Sequence, residues 1–224
     1  MATRANGSSC SLSCLMAAIF FLLVVSSRGA HGGSIAIYWG QNGNEGTLAD
    51  TCATGNYAFV NLAFLCSFGS GQAPQLNLAG HCDANSGACA NLTADIARCQ
   101  SMGVKVLLSI GGGAGGYSLA SKQDALHPRP FYNNPPCQYA AGSGGAANLL
   151  DAWLQWTSGV EARYIFLGLP ASPGATGSGF IPVGSLESQV LPALKTSSKY
   201  GGMMLWSKYY DDQDGYSSAI KNAV

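Results

Sequence analysis

Five runs of mainly apolar residues constrain the fold of this chain more than any other feature of its sequence. They are Ser34–Gln41, Tyr57–Leu65, Val104–Ile110, Tyr164–Pro170 and Gly201–Ser207. A strand that is apolar on both faces is typical of a parallel sheet covered by helices on both sides. Helical patterns lie between and after these runs, at Thr47–Thr54, Leu92–Met102, Ala147–Trp156, Leu186–Lys195 and Tyr216–Asn222. The alternation of strand and helix predicts an α/β fold.

The N-terminus has the pattern of a secretory signal peptide. Leu15–Val25 is an unbroken apolar run of eleven residues that follows Arg4 and precedes small residues. A membrane-spanning helix needs about 20 such residues, so the run is too short to cross a bilayer. The pattern therefore predicts a signal peptide over residues 1–30, cleaved between Ser27 and Gly33, and one secreted domain over residues 31–224. A buried core helix is the alternative.

Charge and cysteine content narrow the choice of partners. Eleven basic residues balance eleven acidic ones without a basic stripe, which argues against nucleic acid and anionic membranes as partners. Six cysteines remain after the signal peptide and are disulfide candidates in an oxidising compartment, namely Cys52, Cys66, Cys82, Cys89, Cys99 and Cys137. The sequence predicts no metal and no cofactor, because it has no C-x-x-C motif and its three histidines are scattered.

Two further patterns point to carbohydrate. Asn91-Leu92-Thr93 is an N-glycosylation sequon, provided that it lies at the surface. Aromatic or polar residues stand near the C-terminal ends of the strands, namely Tyr38, Gln41, Phe64, Tyr132 and Trp206. In a barrel of parallel strands the active site lies at that end, and aromatic faces there suit the C–H patches of sugar rings. Burial of the same aromatics in the core is the alternative.

Five segments carry a resemblance to a known family. They are Ile35–Gly46, Leu78–Cys82, Leu108–Gly113, Phe131–Tyr139 and Met204–Lys208. Together they resemble the plant class III chitinases, the hevamine-like members of glycoside hydrolase family 18, over essentially the whole mature chain. The resemblance implies a TIM barrel and a monomeric enzyme, secreted to the apoplast or vacuole, that acts on chitin or N-acetylglucosamine oligosaccharides. Such enzymes cleave β-1,4 links with assistance from the acetamide group of the substrate.

Residue roles follow from the same resemblance. Tyr132 matches the tyrosine that assists catalysis. The matches to the substrate-binding cleft are Tyr38, Gln41, Asn77, Gly113 and Trp206. The resemblance also implies the disulfides Cys52–Cys99 and Cys82–Cys89, and it makes Cys137 one half of a third. Cys66 and Pro130 depart from the family pattern, and the match to the sixth strand begins only at Phe131.

The catalytic motif of the family, D-x-x-D-x-D-x-E, is absent from the chain. Glu45 lies in a predicted loop and Glu161 precedes a strand, so neither is a candidate general acid. Asp211, Asp212 and Asp214 follow the last strand and are interpreted as solvated loop charges. The motif belongs near residues 125–131, where the fourth strand, the fifth strand and most of the sixth are also missing.

The mature chain of about 190 residues is correspondingly short for a barrel of about 250. The sequence therefore predicts an internal deletion that leaves five strands and a stub of the sixth. Such a sheet cannot close as an eight-stranded barrel. It leaves an aggregation-prone edge at Val104–Ile110. Cys66 and Cys137 would pair with each other or remain free thiols.

Three hypotheses about function follow. The first is a chitinase-type glycoside hydrolase by descent that is inactive because its general acid is missing. The alternative is a non-catalytic protein that binds chitin oligosaccharides or inhibits other glycosidases. The third is a product that does not fold stably and has no function. A skipped exon, an error in the predicted gene or a pseudogene-like copy would each explain the gap.

Overall fold

One open sheet contains all six strands of the described part of the chain. The computed structural model describes residues 32–69, 71, 73–113, 136–142 and 144–224. The strands are β1 (Ser34–Trp39), β2 (Phe59–Ser67), β3 (Gln75–Leu76), β4 (Lys105–Ile110), β5 (Ile165–Pro170) and β6 (Tyr200–Trp206). Their order is β3-β2-β1-β6-β5, and β4 also pairs with β2. All pairs are parallel except the short antiparallel pair of β2 with β3.

The five long strands lie where the five apolar runs predict them, and among the described residues the sheet does not close. Within the described residues β4 pairs only with β2, and β5 pairs only with β6. Leu107, Leu108 and Ile110 of β4 are 49%, 51% and 47% exposed, so the edge is apolar and accessible. The prediction of an incomplete barrel with an open edge at Val104–Ile110 is thus confirmed. The predicted stub of the sixth strand and residues 125–131 lie outside the described residues.

The centre of the sheet is β1, which lies between β2 and β6. Ile37 stands opposite Val60 on one side and Leu205 on the other, and all three side chains are fully buried. Gly202 of β6 has a φ of +130°, and a Cβ atom there would lie 1.9 Å from the backbone oxygen of Ser34. Close pairing of the first and last strands therefore requires glycine at this position.

The helices are α1 (Leu48–Ala53), α2 (Leu92–Ser101), α3 (Ala147–Gly159), α4 (Val183–Ser185), α5 (Leu191–Leu194), α6 (Lys208–Asp214) and α7 (Tyr216–Ile220). They confirm most of the predicted helical segments within a few residues. Thr47 caps α1, because its hydroxyl accepts the backbone N–H of Asp50 at 3.0 Å. None of the described helices is long and apolar enough to cross a membrane.

The predicted helix Leu186–Lys195 is not a regular α-helix. Residues Leu186–Val190 form a π-helical segment, and α5 begins only after it. Pro192 stands in the first turn of α5 and lacks the N–H that a continuous α-helix would use. The hydrogen-bond pattern therefore changes where the segment meets the proline.

The interpretation of Asp211, Asp212 and Asp214 as loop charges is wrong for all three, and Asp211 is not solvated either. All three lie in α6, and Asp211 is only 4% exposed. Its carboxylate accepts hydrogen bonds from the Tyr57 hydroxyl, the Ser217 hydroxyl and the Ser217 backbone N–H. These three donors replace water around the charge. Asp212 is exposed and forms an ion pair with Lys208, and Asp214 is exposed as well.

The two disulfides implied by the resemblance are both present. Cys52–Cys99 joins α1 to α2, and Cys82–Cys89 closes a short ring in the loop before α2. Cys66 and Cys137 do not pair with each other and remain free thiols, which is the second of the two predicted outcomes.

Candidate functional site

Three aromatic rings converge at the C-terminal ends of adjacent strands, and we call Tyr38, Phe64 and Trp206 the aromatic cluster. The ring of Tyr38 lies 5.3 Å from that of Trp206 and 5.8 Å from that of Phe64, measured between centroids. The rings of Phe64 and Trp206 are stacked, with centroids 5.8 Å apart. All three side chains are half-buried, so each ring also presents surface to solvent.

Backbone contacts fix the position of the cluster. The peptide bonds Ala63–Phe64 and Trp206–Ser207 are cis. Phe64 and Asn77 exchange a reciprocal pair of backbone hydrogen bonds, each 2.9 Å long. Across the sheet, the N–H of Ala171 donates to the carbonyl of Trp206 at 2.7 Å. The cluster therefore rests on paired backbone rather than on a free loop.

Gln41 holds the loop of Asn77 against the end of β2. Its side-chain Nε2 donates to the carbonyl oxygen of Ala63 at 2.8 Å and to that of Asn77 at 3.2 Å. The two amide protons of Gln41 point at backbone carbonyls. A ligand would therefore contact the side-chain oxygen Oε1, which can accept a hydrogen bond. Asn77 itself is exposed, and its Oδ1 accepts the backbone N–H of Ala79 at 2.9 Å.

Gly112 is a site residue that the sequence did not single out. It has a φ of +105°, and a Cβ atom there would lie 3.1 Å from the ring of Phe64. The end of β4 can therefore approach the aromatic cluster only through glycine. Gly113, which the resemblance assigned to the cleft, is exposed and has no atom within 4 Å of a Cβ position. The sequence signal for the close approach of Gly112 to Phe64 was the run of three glycines, Gly111–Gly113.

Glu45 lies in the loop after β1, as predicted, and is buried there. Its Oε1 accepts the backbone N–H of Gly40 at 2.6 Å and that of Asn42 at 3.0 Å. His81 Nε2 lies 3.2 Å from the same oxygen, and its ring packs at 4.1 Å on Trp39. Oε2 is buried without a hydrogen-bond partner among the described residues. Glu45 thus fastens the loop after β1, and no local sequence signal predicts this fold-back.

Comparisons with known proteins identify the family. An acidic endochitinase of Vitis vinifera is 43% identical over 281 residues, and the match covers 87% of this chain and 93% of that protein. An acidic endochitinase of Nicotiana tabacum is 46% identical over 274 residues, covering 86% and 92%. The chain belongs to the family of plant acidic endochitinases. No general family profile matches the chain.

Solved structures agree with membership of the acidic endochitinase family. A chitinase from Ipomoea carnea superposes with a TM-score of 0.77 at 36% identity, covering 86% of this chain and all of that one. A xylanase and α-amylase inhibitor protein from Scadoxus multiflorus gives a TM-score of 0.75 at 31% identity, covering 86% and 99%. A family 18 chitinase from Pseudoalteromonas aurantia, at 18% identity and a TM-score of 0.63, shows the shared fold. These neighbours confirm the predicted fold class, an incomplete TIM barrel.

The structure brings some of the residues matched to the chitinase cleft together and not others. Tyr38 and Trp206 are in ring contact, and Gln41 is bonded to Asn77 beside them. Gly113 stands at the end of β4, and Tyr132 lies outside the described residues.

A cavity of about 450 Å³ opens between the end of β2 and the following loop. It is lined by Cys66, Gln75, Leu76, Asn77, Leu78, Ala79, Gly80, Cys82, Asp83, Ala84 and Asn85. Tyr38, Gln41 and Trp206 are not among these described lining residues. The aromatic cluster is therefore a surface next to this cavity rather than its wall. Within the described ranges no three His, Cys, Asp or Glu side chains gather as a metal site.

Proposed function

We propose that this chain binds N-acetylglucosamine oligosaccharides at the aromatic cluster without hydrolysing them. The observation that carries the proposal is the position of its three glutamates, Glu45, Glu161 and Glu187. Hydrolysis of a glycosidic bond needs a carboxylic acid within reach of the leaving oxygen. None of the three offers a carboxyl group beside the aromatic cluster.

Glu45 is occupied by backbone contacts, whereas Glu161 and Glu187 are exposed and lie outside the strands. Glu45 is 1% exposed and binds backbone N–H groups through Oε1. Glu161 is exposed and precedes β5, so it lies at the N-terminal end of the strand, opposite the cluster. Glu187 is exposed in the π-helical segment after α4. A substrate at the cluster would therefore lack a glutamate to protonate its leaving group.

The length of the alignments supports an internal deletion as the cause. The match to the grape protein extends over 281 residues, whereas 87% of 224 residues is about 195. About 86 aligned positions are thus left without a residue of this chain, although the match spans 93% of the relative. A gap of this size corresponds to roughly two or three βα units of a barrel of about 250 residues.

The aromatic cluster supports binding. Trp206 and Tyr38 offer exposed ring surface for the C–H face of a sugar, and Asn77 offers an exposed amide next to it. Small polar groups around an apolar surface are typical of ligand sites in proteins. The cluster does not depend on the missing strands for its contacts, because β1, β2 and β6 are mutually paired.

Two measurements on the purified mature chain test the proposal. Calorimetric titration with an N-acetylglucosamine tetramer should give saturable binding that is about tenfold weaker in Trp206→Ala. Incubation with the same tetramer should release no shorter sugars. Absence of binding by the folded protein would overturn the claim of binding, and hydrolysis at the rate of an intact acidic endochitinase would overturn the claim that the chain does not hydrolyse its ligand.

The transcript provides an independent test of the deletion. Sequencing across Asp124–Phe131 should give the codons as they stand in this chain. A transcript that encodes a D-x-x-D-x-D-x-E motif there would restore the enzyme and contradict the proposal.

We also propose that residues 1–30 direct secretion and are removed. The unbroken apolar run Leu15–Val25 and the small residues after it support this. N-terminal sequencing of protein from the culture medium should find a start between Arg28 and Gly33. An intact Met1 on exported protein would contradict removal.

Inhibition of other glycosidases is the second candidate function. It is favoured by the likeness to the xylanase and α-amylase inhibitor from Scadoxus multiflorus. Xylanase and α-amylase assays with increasing amounts of this chain decide the point. Unchanged activity of both enzymes at a large excess of the chain would rule out inhibition of these two targets.

A further inference from the structure

We propose that Asn91 carries an N-linked oligosaccharide, positioned toward the sheet end at which the aromatic cluster lies. The proposal rests on the secretion proposed above, since the modification takes place in the secretory pathway. Asn91, Leu92 and Thr93 form the required sequon. A second sequon, Asn6-Gly7-Ser8, lies within the proposed signal peptide and would leave with it.

The side chain of Asn91 is accessible and has no capping role. Asn91 ends a 3-10 helix, Ala88–Asn91, and directly precedes α2. Asparagine in this position often accepts a hydrogen bond from the first turn of the helix. Here its side chain makes no capping bond, and both Asn91 and Thr93 are exposed. The amide can therefore be substituted without losing a capping contact of the fold.

The direction of α2 places the glycan. Lys105 at the start of β4 pairs with Phe59 at the start of β2, so α2 leads back to the N-terminal ends of the strands. Asn91 is at the opposite end of this ten-residue helix, about 15 Å away along its axis. It therefore lies toward the C-terminal ends of the strands. Cys89, two residues earlier, is bonded to Cys82, which lines the cavity.

The transfer needs a lipid-linked oligosaccharide diphosphate as its co-substrate. Nδ2 of Asn91 forms a bond to the anomeric carbon of the first sugar. The bond from that carbon to the diphosphate oxygen breaks, and the lipid diphosphate leaves with the electron pair. The amide loses one proton to a base of the transferase, so atoms and charge balance.

Intact mass of the secreted chain provides the test. The full chain is expressed in a eukaryotic secretion host, and its mass is measured before and after treatment with a peptide N-glycosidase. We expect a mass above that of the polypeptide, which the enzyme removes while converting Asn91 to aspartate. Asn91→Gln and Thr93→Ala should each abolish the excess mass.

Two matched variants separate the sequon from general effects of substitution. Thr93→Ser keeps a valid sequon and should keep the glycan on at least part of the molecules. Asn85→Gln changes an exposed asparagine of the same loop that is not in a sequon, and it should leave the mass excess unchanged. Secreted protein with an unmodified Asn91 would overturn the proposal.

Replacing residues 1–30 by a signal peptide of proven function distinguishes failure of secretion from failure of glycosylation. If only the native chain stays inside the cell, the proposed signal peptide is wrong. If the exported replacement also lacks a glycan, the assignment of Asn91 is wrong. Sugar binding at the aromatic cluster is measured separately and does not enter either outcome.

Discussion

The indole ring of Trp206 stacks on the phenyl ring of Phe64, with an angle of 18° between their planes. These residues belong to β6 and β2, which do not pair with each other and are separated by β1. Tyr38 of β1 touches both rings. Three adjacent strands thus end in one aromatic surface.

Replacing Trp206 by alanine should weaken binding of an N-acetylglucosamine tetramer by about tenfold, about 1.4 kcal/mol. The substitution removes the largest ring of the cluster and the stacking surface for the sugar. Isothermal titration measures the change. Tyr164→Ala removes an exposed aromatic residue next to the start of β5 and should leave the affinity unchanged. Equal losses in both variants would refute a specific role of the cluster.

Glu45→Ala should lower the free energy of unfolding by about 3 kcal/mol. The N–H groups of Gly40 and Asn42 would lose their buried acceptor, and an unsatisfied buried donor costs about 1–3 kcal/mol. Urea denaturation followed by tryptophan fluorescence gives the value. Glu187→Ala alters an exposed glutamate and should change stability by less than about 0.5 kcal/mol. A Glu45→Ala variant as stable as the parent would contradict the fastening role.

Gly202→Ala should destabilise the fold severely, by about 4 kcal/mol or more. The new Cβ would overlap the backbone of Ser34, and the φ of +130° is unfavourable for alanine. We expect loss of soluble protein or a large fall in the denaturation midpoint. Gly159→Ala is the matched control, because no atom lies within 4 Å of its Cβ position at the end of α3. It should be neutral or slightly stabilising.

Leu108→Lys should reduce aggregation of the purified chain. Leu108 is 51% exposed on β4, and a charged residue on an open edge opposes pairing with a second sheet. Light scattering during refolding at increasing concentration measures the effect. Leu154→Lys replaces a more exposed leucine on α3, away from any strand edge. If both variants suppress scattering equally, general hydrophobicity rather than the edge is responsible.

The stability of the fold should fall as the pH rises above about 10, in part because of Tyr57. Burial, followed by the neighbouring charge of Asp211, raises the pKa of Tyr57 above its ordinary value of about 10. Above that pH the unfolded chain loses a proton that the folded chain keeps. Stability therefore decreases by about 1.4 kcal/mol per pH unit for this group.

Tyr57→Phe isolates this contribution. Unfolding in urea between pH 9 and 11 should show a shallower fall for the variant than for the parent. Burial also raises the pKa values of Tyr200 and Tyr216, so part of the fall should remain. Parallel curves for variant and parent would show that Tyr57 does not contribute.

The sequence predicted the sheet well because its signal is local. An apolar run such as Tyr57–Leu65 marks a buried strand by itself, and the structure places β2 within two residues of it. The resemblance supplied the pairing of Cys52 with Cys99, which lie 47 residues apart and which spacing alone could not pair. The placement of Tyr38 and Trp206 at strand ends also followed from local pattern, and the parallel sheet then brought them together.

The burial of charged residues could not be predicted in this way. Asp211 looks like a surface charge in sequence, but its donors include Tyr57, 154 residues away. Glu45 accepts from Gly40, and this depends on how the loop turns after β1. In both cases the tertiary fold supplies the partners that make burial of a carboxylate tolerable.

The pairing of β1 with β6 also delays completion of the sheet during synthesis, because β6 is translated long after β1. Ile35 stands opposite Met203, so 168 residues separate the two partners along the chain. At 5–20 residues per second, a ribosome needs roughly 8 to 34 seconds to make the second after the first. Throughout that interval the edge of β1 that pairs with β6 in the folded sheet lacks this partner. A factor that shields this edge on the nascent chain would have its window before Tyr200 is translated.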